Sequence, residues 1–305
     1  MRARSSTTLK AWVKMMHRFK VPATSANLGP GFDSVGLALE KYLHIEAMED
    51  SGFNIIFEDD FLDVLPDDET NLVISTARDI ARKYGCRLPG LEVRMGSDIP
   101  LSHGLGSSAS AIVAGIELAD RFCGLSLTVY DKVLLGSEIE GHPDNIGPAV
   151  TGGLFVGYYD GELFYHVMDI EGLSAVISVP PYEMNTKEAR RALPETYSRQ
   201  DAVRQNALNN VLLLSIMNND YKAMRQLMTQ DRYHEPYRRQ LIAEYDAVRQ
   251  AAEQAGAIAT TISGAGPTLL TLCKSSEAAA VLEQLDSVRG CHHEKVDICR
   301  KIPGM

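Results

Sequence analysis

The sequence predicts a mixed fold of strands and helices, arranged as two packed lobes or as one large domain. Its 305 residues are more than one minimal core requires, because domains commonly run ~100 to 200 residues. Hydrophobic residues make up 45% of the chain and charged residues 23%, the balance of an ordinary globular protein that buries a core. Two lobes are therefore the working interpretation.

The N-terminal half contains both strand-like and helix-like segments. Alternating apolar residues predict strands, and apolar residues three and four positions apart predict helices. The predicted strands are 18–23, 42–48, 54–58 and 91–95, and the predicted helices are 71–84, 107–122 and 128–139. Asp160-Gly161 lies between two further strand-like runs and predicts a β-hairpin.

The C-terminal half begins with a strand at 173–179 and continues with helices. The predicted helices are 186–193, 199–218, 220–230 and 236–254, followed by strands 257–263 and 268–272, a helix 277–285 and a last strand 294–299. The lobe boundary falls between 155 and 175, and we assign 16–165 to the first lobe and 166–305 to the second. Residues 1–15 are basic and contain no acidic residue, so we expect a disordered or alternative-start extension there, with an organelle transit peptide as the alternative.

The charge balance argues against two classes of partner. Thirty Lys and Arg residues against 40 Asp and Glu residues give a net charge of −10, which disfavours binding to nucleic acid and to anionic membrane surfaces. The apolar stretch Val211 to Met217, which Ser215 interrupts, is far shorter than the ~20 residues that cross a bilayer. An anionic ligand would therefore have to be captured by local groups.

Cysteine usage predicts a reducing compartment. The chain has five cysteines, an odd number, and none of them shows the C-x-x-C spacing. This pattern argues against a disulfide framework and against a zinc site, so we expect a cytoplasmic protein.

The segment Ile99 to Ser110, IPLSHGLGSSAS, carries the clearest chemical signal. Gly104 and Gly106 can adopt positive φ and let consecutive backbone N–H groups converge on phosphate oxygens. The helix that follows presents its N-terminal N–H groups and dipole to an anion. The spacing matches neither a Walker A loop nor a Rossmann fingerprint. A serine-capped helix after a glycine turn is the alternative interpretation.

Three motifs resemble those of the GHMP kinase family. Pro100 to Ala109 is similar to the family's phosphate loop, P-x-x-x-G-L-G-S-S-A, while Pro22 to Leu39 resembles its first motif and Thr260 to Leu272 its C-terminal glycine motif. The resemblance implies a two-lobed α+β fold, in which the N-terminal lobe resembles ribosomal protein S5 domain 2 and the C-terminal lobe is a ferredoxin-like α/β sandwich. The nucleotide would lie between the lobes.

The resemblance also implies the ligands ATP and Mg²⁺ and the residues that bind them. Glu140 is the implied metal carboxylate, together with the Ser108 hydroxyl. Glu138, two residues earlier, is the alternative metal carboxylate. The two acids would point about 200° apart on a helix, so both cannot easily face one ion. Asn71 is a nucleotide-side candidate, or simply the N-cap of the helix that follows it. The implied nucleotide loop comprises Pro100, Leu101, Ser102, His103, Gly104, Leu105, Gly106, Ser107, Ser108 and Ala109.

The substrate positions are similar to those of the homoserine kinase branch of the family. A carboxylate suits a substrate ammonium group and an arginine suits a carboxylate, so the implied charges fit an amino acid. The second arginine implied to bind the substrate carboxylate is Arg238, or the adjacent Arg239. Asn27 and Asp33 could also merely build a turn. The implied substrate residues are Asn27, Asp33, His142, Asn145, Thr186, Arg190 and Arg238.

The implied reaction is phosphorylation of the side-chain hydroxyl of L-homoserine by ATP, giving O-phospho-L-homoserine for threonine biosynthesis. Asn145 stands where other family members carry an acid, so we expect catalysis by orientation, with Ser108 and Glu140 supplying electrostatic support. Other GHMP kinases, acting on mevalonate-like or sugar alcohols, are the alternative, as is a non-catalytic metabolite sensor. A homodimer is left open.

Overall fold

Two β-sheets organise the part of the chain that this computed structural model describes, residues 16–302. The extension expected at 1–15 lies outside the described residues. None of the helices in the described range combines the length and apolarity that crossing a membrane requires.

The first sheet has six strands and is built around one long strand. Strand β2 pairs antiparallel with β1, β4 and β5, β3 pairs parallel with β4, and β6 extends the edge beyond β5. The turn at Gly161 joins the last two strands into the predicted hairpin. The six strands are β1 (His17–Ala26), β2 (Val35–Asp50), β3 (Asn54–Phe57), β4 (Gly90–Ser97), β5 (Leu154–Asp160) and β6 (Glu162–Met168).

Four helices accompany the first sheet: α1 (Leu72–Lys83), α2 (Ser107–Cys123), α3 (Val129–Glu140) and α4 (Ile146–Thr151). Helix α2 is buried along most of its length and packs against α1 at Gly115, where a larger residue would collide with Thr76. The side chain of Asn71 caps α1, and Thr128 and Asp131 form a capping box on α3.

The second sheet is antiparallel in the order β10-β7-β9-β8. Helices α9 and α10 pack beside it around a second core cluster. Its strands are β7 (Leu173–Val179), β8 (Ala259–Ile262), β9 (Leu269–Lys274) and β10 (His292–Val296). The helices of this half are α5 (Thr186–Arg191), α6 (Arg199–Met217), α7 (Tyr221–Leu227), α8 (Glu235–Arg238), α9 (Tyr245–Gln254) and α10 (Ala278–Leu285).

Most predicted elements are present, and the differences have local causes. The turn-rich segment after Pro143 contains α4, whose six residues are all buried. The single helix predicted at 236–254 is wrong, because Ile242 has an extended backbone and carries its side chain into the second core between α8 and α9. The predicted boundary at 165/166 falls inside β6, and the change of sheet lies between Met168 and Leu173.

One disulfide is present, although the cysteine pattern argued against a disulfide framework. Cys86, just after α1, and Cys123, at the end of α2, are joined by a disulfide with a Cα–Cα distance of 6.1 Å. The two residues are 37 positions apart in sequence, and the packing of α1 on α2 brings them together. Cys273, Cys291 and Cys299 are free.

Glu235 is a buried acid at the junction of α8, α9 and β8. One carboxyl oxygen accepts a hydrogen bond from the Ile262 N–H at 2.7 Å, and the other accepts from the Tyr245 hydroxyl at 2.9 Å. Burial raises the pKa of Glu235 to about 8, although the hydrogen bond from Ile262 opposes the shift. The carboxyl group therefore favours its neutral form in the folded protein.

We predict that the Glu235→Gln variant changes how stability depends on pH. A folded-state pKa above the unfolded value means that the native protein binds the extra proton, so stability falls as pH rises from the unfolded value toward 8. Glutamine keeps the acceptor for Ile262 and cannot ionise. The stability of the variant relative to wild type should therefore rise between pH 5 and pH 8.5, by on the order of 2 to 4 kcal/mol, in urea unfolding. The exposed Glu283→Gln variant is the control, and parallel pH curves for Glu235→Gln and wild type would contradict the prediction.

Candidate active site

A cleft lies where the glycine loop after β4 meets the segment between β8 and β9. It contains a cavity of about 90 Å³. Every predicted substrate residue lines this cavity, together with part of the predicted nucleotide loop. The lining residues are Asn27, Phe32, Asp33, Ser102, Gly104, Gly106, Ser107, Ser108, Ala109, Glu140, His142, Asp144, Asn145, Met184, Thr186, Arg190, Arg238, Gly264 and Ala265.

The glycine loop reaches the cleft because two of its glycines adopt left-handed backbone conformations. Gly104 has a φ of +77° and Gly106 a φ of +73°. A side chain on Gly104 would collide with the backbone of Ser263 and Gly266, and one on Gly106 would collide with the Thr24 hydroxyl. Helix α2 begins directly after Gly106. Its free N–H groups and positive dipole end are therefore available to an anion in the cleft.

The residues of the predicted nucleotide loop do not all line this cleft. Leu105 is buried in the core, and Pro100 and His103 line a neighbouring cavity of about 570 Å³ instead. The ring of His103 bonds back to the carbonyl of Leu101. The side chains of Pro100, His103 and Leu105 therefore do not face this cleft, and the prediction that these residues belong to the nucleotide loop stays a prediction.

An apolar cavity of about 420 Å³ adjoins the cleft and shares Ser102, Ser107 and Ser108 with it. Asn71 lines this cavity and also caps α1, accepting from the Val73 N–H at 3.0 Å. Both interpretations of Asn71 made from the sequence are therefore compatible. The apolar lining was not predicted and includes Leu43, Leu62, Val64, Leu65, Met95, Ile99 and Ala111.

Asp33 and Arg190 form a bidentate ion pair across the cleft. The two guanidinium nitrogens lie 3.0 and 2.8 Å from the two carboxylate oxygens. Thr186, at the start of α5, lies one helical turn before Arg190 and is exposed. The sequence predicted that Asp33 and Arg190 bind opposite ends of one substrate. In the structure, which contains no ligand, the two side chains neutralise each other.

Arg238, and not Arg239, lies at the cleft. Arg238 is buried and donates to the carbonyls of Gly264 at 2.9 Å and Ala189 at 3.3 Å, and to His234 Nδ1 at 3.5 Å. Arg239 is exposed and pairs with Asp246. Burial, followed by the nearby charge of Arg190, lowers the pKa of Arg238. A buried cation held only by neutral groups is a strong site for an anion.

The side chain of Asn27 binds backbone groups on two sides of the cleft. It has a φ of +77°, its amide nitrogen donates to the Gly264 carbonyl at 3.1 Å, and its oxygen accepts from the Asp33 N–H at 3.1 Å. Asn27 thus ties the loop that carries Asp33 to the C-terminal glycine motif. Asn27 therefore helps to build the turn, as the alternative interpretation expected, and it also lines the cleft.

The two candidate metal carboxylates lie in different places. Glu140, at the end of α3, lines the cleft, and its side chain makes no hydrogen bond or ion pair with another described residue. Burial raises the pKa of Glu140, although the charge of His142 opposes the shift. Glu138 is exposed and pairs with Lys83 on the outside of the helix. Glu140 is therefore the carboxylate available to a cation in the cleft.

His142 and Asp144 form a hydrogen-bonded pair beside Glu140. Burial alone would lower the pKa of His142, but the hydrogen bond and the charge of Asp144 outweigh it and raise the pKa to about 9. His142 is therefore an imidazolium at neutral pH. Asp144 is buried, and it was not singled out from the sequence although it lies within the EGHPDN segment.

Asn145 accepts a hydrogen bond from the Thr24 hydroxyl at 2.7 Å. This contact fixes the amide so that its oxygen faces Thr24 and its nitrogen can donate. Thr24 was not predicted as a site residue, although it belongs to the first motif, and Phe32 in the same motif was missed too. Phe32 lies 5.6 Å from the Arg190 guanidinium and 5.4 Å from that of Arg238. In the sequence, only the proximity of Thr24 and Phe32 to predicted site residues could have indicated that they belong to the site.

Comparison with known proteins agrees with this arrangement. The family model described as GHMP kinases N terminal domain matches residues 71–153, and the one described as GHMP kinases C terminal matches residues 212–289. A homoserine kinase of Staphylococcus aureus strain Newman is 44% identical over 284 residues, which cover 91% of this chain and 93% of the relative. A homoserine kinase of Staphylococcus epidermidis is 42% identical over 289 residues, with 92% and 94% covered.

Solved structures show the same architecture. The crystal structure of homoserine kinase from Cytophaga hutchinsonii superposes with a TM-score of 0.82 at 28% identity and covers 98% of both chains. The L. major mevalonate kinase in complex with R-mevalonate has a TM-score of 0.74 at 15% identity, covers 94% of this chain and 97% of that one, and shares the fold alone. The chain therefore belongs to the GHMP kinase family and, within it, to the homoserine kinases.

Proposed function

We propose that this protein transfers the γ-phosphoryl group of ATP to the side-chain hydroxyl of L-homoserine. The observation that carries the proposal is the presence of one carboxylate and two guanidinium groups, those of Asp33, Arg190 and Arg238, in one cleft beside a glycine loop. An α-amino acid presents one ammonium and one carboxylate group, which match these charges. The relatives named homoserine kinase support the same substrate.

The ion pair between Asp33 and Arg190 supports recognition of a zwitterion. A bound amino acid can exchange this internal pair for two external ones, with its ammonium on Asp33 and its carboxylate on Arg190 and Arg238. In the ligand-free cleft Arg238 alone of these three groups lacks an ion-pair partner, and the substrate carboxylate would supply one, which relieves the penalty of burying an isolated charge. A ligand that carries only a carboxylate cannot replace Arg190 as the cation beside Asp33, so it would gain the pairing with Arg238 alone.

The base and the phosphates of the nucleotide would occupy the apolar cavity and the adjoining start of α2. The apolar cavity is suited to a flat base, and the serines shared with the cleft, Ser107 and Ser108, place the start of α2 between base and substrate. The backbone N–H groups there can hold phosphate oxygens. This arrangement would direct the γ-phosphoryl group toward the substrate hydroxyl, and phosphoryl transfer depends mainly on such positioning.

Asn145 and Thr24 supply orientation at the reacting hydroxyl. The Thr24 hydroxyl donates to the amide oxygen of Asn145, and the amide nitrogen donates to Asp144 at 3.4 Å, which leaves its second N–H to donate to the substrate oxygen. Neither side chain accepts a proton readily at neutral pH. In this proposal catalysis comes from alignment of the substrate hydroxyl with the γ-phosphoryl group. The hydroxyl proton is transferred to a phosphate oxygen or to solvent.

Glu140 and Ser108 fit a magnesium site. A partly buried carboxylate without a hydrogen-bonding partner in the described chain is disfavoured as an anion until a cation approaches it. Mg²⁺ prefers one or two carboxylates together with phosphate oxygens and water. Bound there, the ion would neutralise charge on the phosphates.

The first prediction about the proposed activity tests the substrate. In a coupled assay of ADP release with homoserine, mevalonate and galactose as alternative acceptors, we expect turnover with homoserine alone. Arg238→Ala should raise KM for homoserine by about 100-fold and leave KM for ATP within a few-fold, because it leaves the substrate carboxylate unpaired. Arg239→Ala is the matched control and should change neither. Preference for another alcohol would refute the proposal, and no ADP release with any acceptor would favour a non-catalytic binding protein.

The second prediction concerns the metal. Glu140→Gln should raise the Mg²⁺ concentration needed for half-maximal rate by at least about tenfold, since it removes the carboxylate charge that faces the cleft. Glu138→Gln, two residues earlier on the same helix, should behave as wild type. Binding of the Mg²⁺–nucleotide complex, measured by calorimetry, should weaken in Glu140→Gln alone. Equal effects of both substitutions would contradict the assignment.

The third prediction concerns Asn145. Asn145→Ala should lower kcat by roughly 10- to 100-fold with a smaller change in KM, because it removes a group that orients the hydroxyl in the transition state. Thr24→Val removes only the hydrogen bond that fixes the amide and should lower kcat in the same direction. A near-wild-type kcat for Asn145→Ala would remove Asn145 from the mechanism.

A further inference from the structure

His234 contacts two residues of the candidate active site, although the proposed function gives it no role. It precedes α8, four residues before Arg238, and its side chain is completely buried. Its ring stacks on that of Phe32, which lines the cleft, with 5.4 Å between the ring centroids. An imidazole that no solvent reaches must satisfy both of its ring nitrogens inside the protein.

The partners of the two ring nitrogens determine which of them carries the hydrogen. Nε2 of His234 lies 2.9 Å from the Gly29 carbonyl oxygen, which can only accept, so Nε2 is the donor. Nδ1 lies 3.5 Å from Nη1 of Arg238, which can only donate, so Nδ1 presents its lone pair. Burial lowers the pKa of His234, and the neutral ring that results agrees with this assignment. The ring is therefore a hydrogen-bond acceptor that faces the arginine.

Three neutral acceptors hold the guanidinium group of Arg238. Nε donates to the Ala189 carbonyl at 3.3 Å, and Nη1 donates to the Gly264 carbonyl at 2.9 Å as well as to His234. Within residues 16–302, Nη2 donates to no other group. Because the contacts to Nε and Nη1 fix the plane of the guanidinium group, Nη2 is the nitrogen that is available to a ligand.

The neutral state of the ring preserves the charge of Arg238. Asp33 neutralises Arg190, whereas no acid pairs with Arg238 in the part of the chain that the structure describes. A carboxylate in place of the ring would cancel the charge of Arg238, and an imidazolium would set donor against donor and cation against cation. A neutral acceptor orients the guanidinium group and leaves its charge for an anion.

We propose that His234 is a positioning residue for the substrate: through Nδ1 it holds the Arg238 guanidinium group so that Nη2 meets the substrate carboxylate. This inference rests on the proposed function, because it takes the phosphoryl acceptor to be an amino acid. His234 is the only side chain among the three acceptors around Arg238, since the other two are backbone carbonyls. It is therefore the acceptor that a substitution can remove or restore.

Two substitutions separate the two hydrogen bonds of the ring. The amide group of asparagine occupies the position of Nδ1, and that of glutamine reaches the position of Nε2. His234→Asn can keep an acceptor for Arg238 while it loses the donor to Gly29. His234→Gln can keep the donor to Gly29 while it loses the acceptor. Only His234→Gln should therefore impair recognition of the substrate carboxylate.

The test compares homoserine with 3-amino-1-propanol, which is homoserine without the α-carboxylate, in the assay of ADP release. His234→Gln should raise KM for homoserine about tenfold, because Arg238 loses a hydrogen bond. The same variant should change kcat/KM for 3-amino-1-propanol by less than about twofold, since that acceptor does not use Arg238. His234→Asn should stay within about threefold of wild type with both acceptors. Partial unfolding would lower turnover of both acceptors together, so their ratio does not depend on it.

A matched control and a double-mutant cycle complete the experiment. His166→Gln makes the same substitution at an exposed histidine on β6 and should change neither acceptor. In the Arg238→Ala background, His234→Gln should raise KM for homoserine no further, because the group that it positions is absent.

Four results would overturn the role of His234. They are an unchanged KM for homoserine in His234→Gln, equal losses with both acceptors, a His234→Asn variant as impaired as His234→Gln, and additive effects of His234→Gln and Arg238→Ala. A wild type without preference for homoserine over 3-amino-1-propanol would instead contradict the proposed function itself.

Discussion

The close backbone contact between the glycine loop and the C-terminal glycine motif is the constraint on which the rest of the structure depends. The Ser263 hydroxyl donates to the Gly104 carbonyl at 2.7 Å, and the Thr268 N–H donates to the His103 carbonyl at 3.3 Å. Only glycine fits at 104, because any side chain would meet the opposing backbone. The contact fixes the nucleotide side of the cleft relative to the substrate side. Two motifs more than 150 residues apart therefore act as one structure.

A second, buried network holds the substrate side. Asp231 accepts from Gln205 at 2.6 Å and from the N–H groups of His234 and Glu235 at 2.8 and 2.7 Å. Burial lowers the pKa of His234, so its ring is neutral and donates to the Gly29 carbonyl while accepting from Arg238. The histidine thus joins the loop that precedes Asp33 to the arginine. The acid and the cation of the cleft are held at a fixed separation, which recognition of a small zwitterion requires.

The sequence could predict those features that depend on local chemistry or on a recognised motif. The glycine loop, the Asp160-Gly161 hairpin and the helix after Asn71 each follow from residues within a few positions of one another. Features decided by distant contacts were out of reach. The disulfide of Cys86 depends on how two helices pack, and the break in the helix predicted at 236–254 depends on a core that claims Ile242. The choice of Arg238 over Arg239 likewise required the position of Gly264.

The charge balance of the cleft resolves the apparent conflict between an acidic protein and an anionic nucleotide. The chain carries a net charge of −10, yet the imidazolium of His142 and the two cleft arginines offset the three acids Asp33, Glu140 and Asp144. In the proposed function, phosphate binding falls to the backbone N–H groups of the loop and of α2, which carry no net charge. The acidic surface therefore does not oppose the nucleotide at contact distance, because salt screens exposed charges beyond about 10 Å. In the proposed function the two arginines are used for the acceptor, Arg238 directly and Arg190 by exchanging its pair with Asp33, so that one cleft would bind two ligands of different charge side by side.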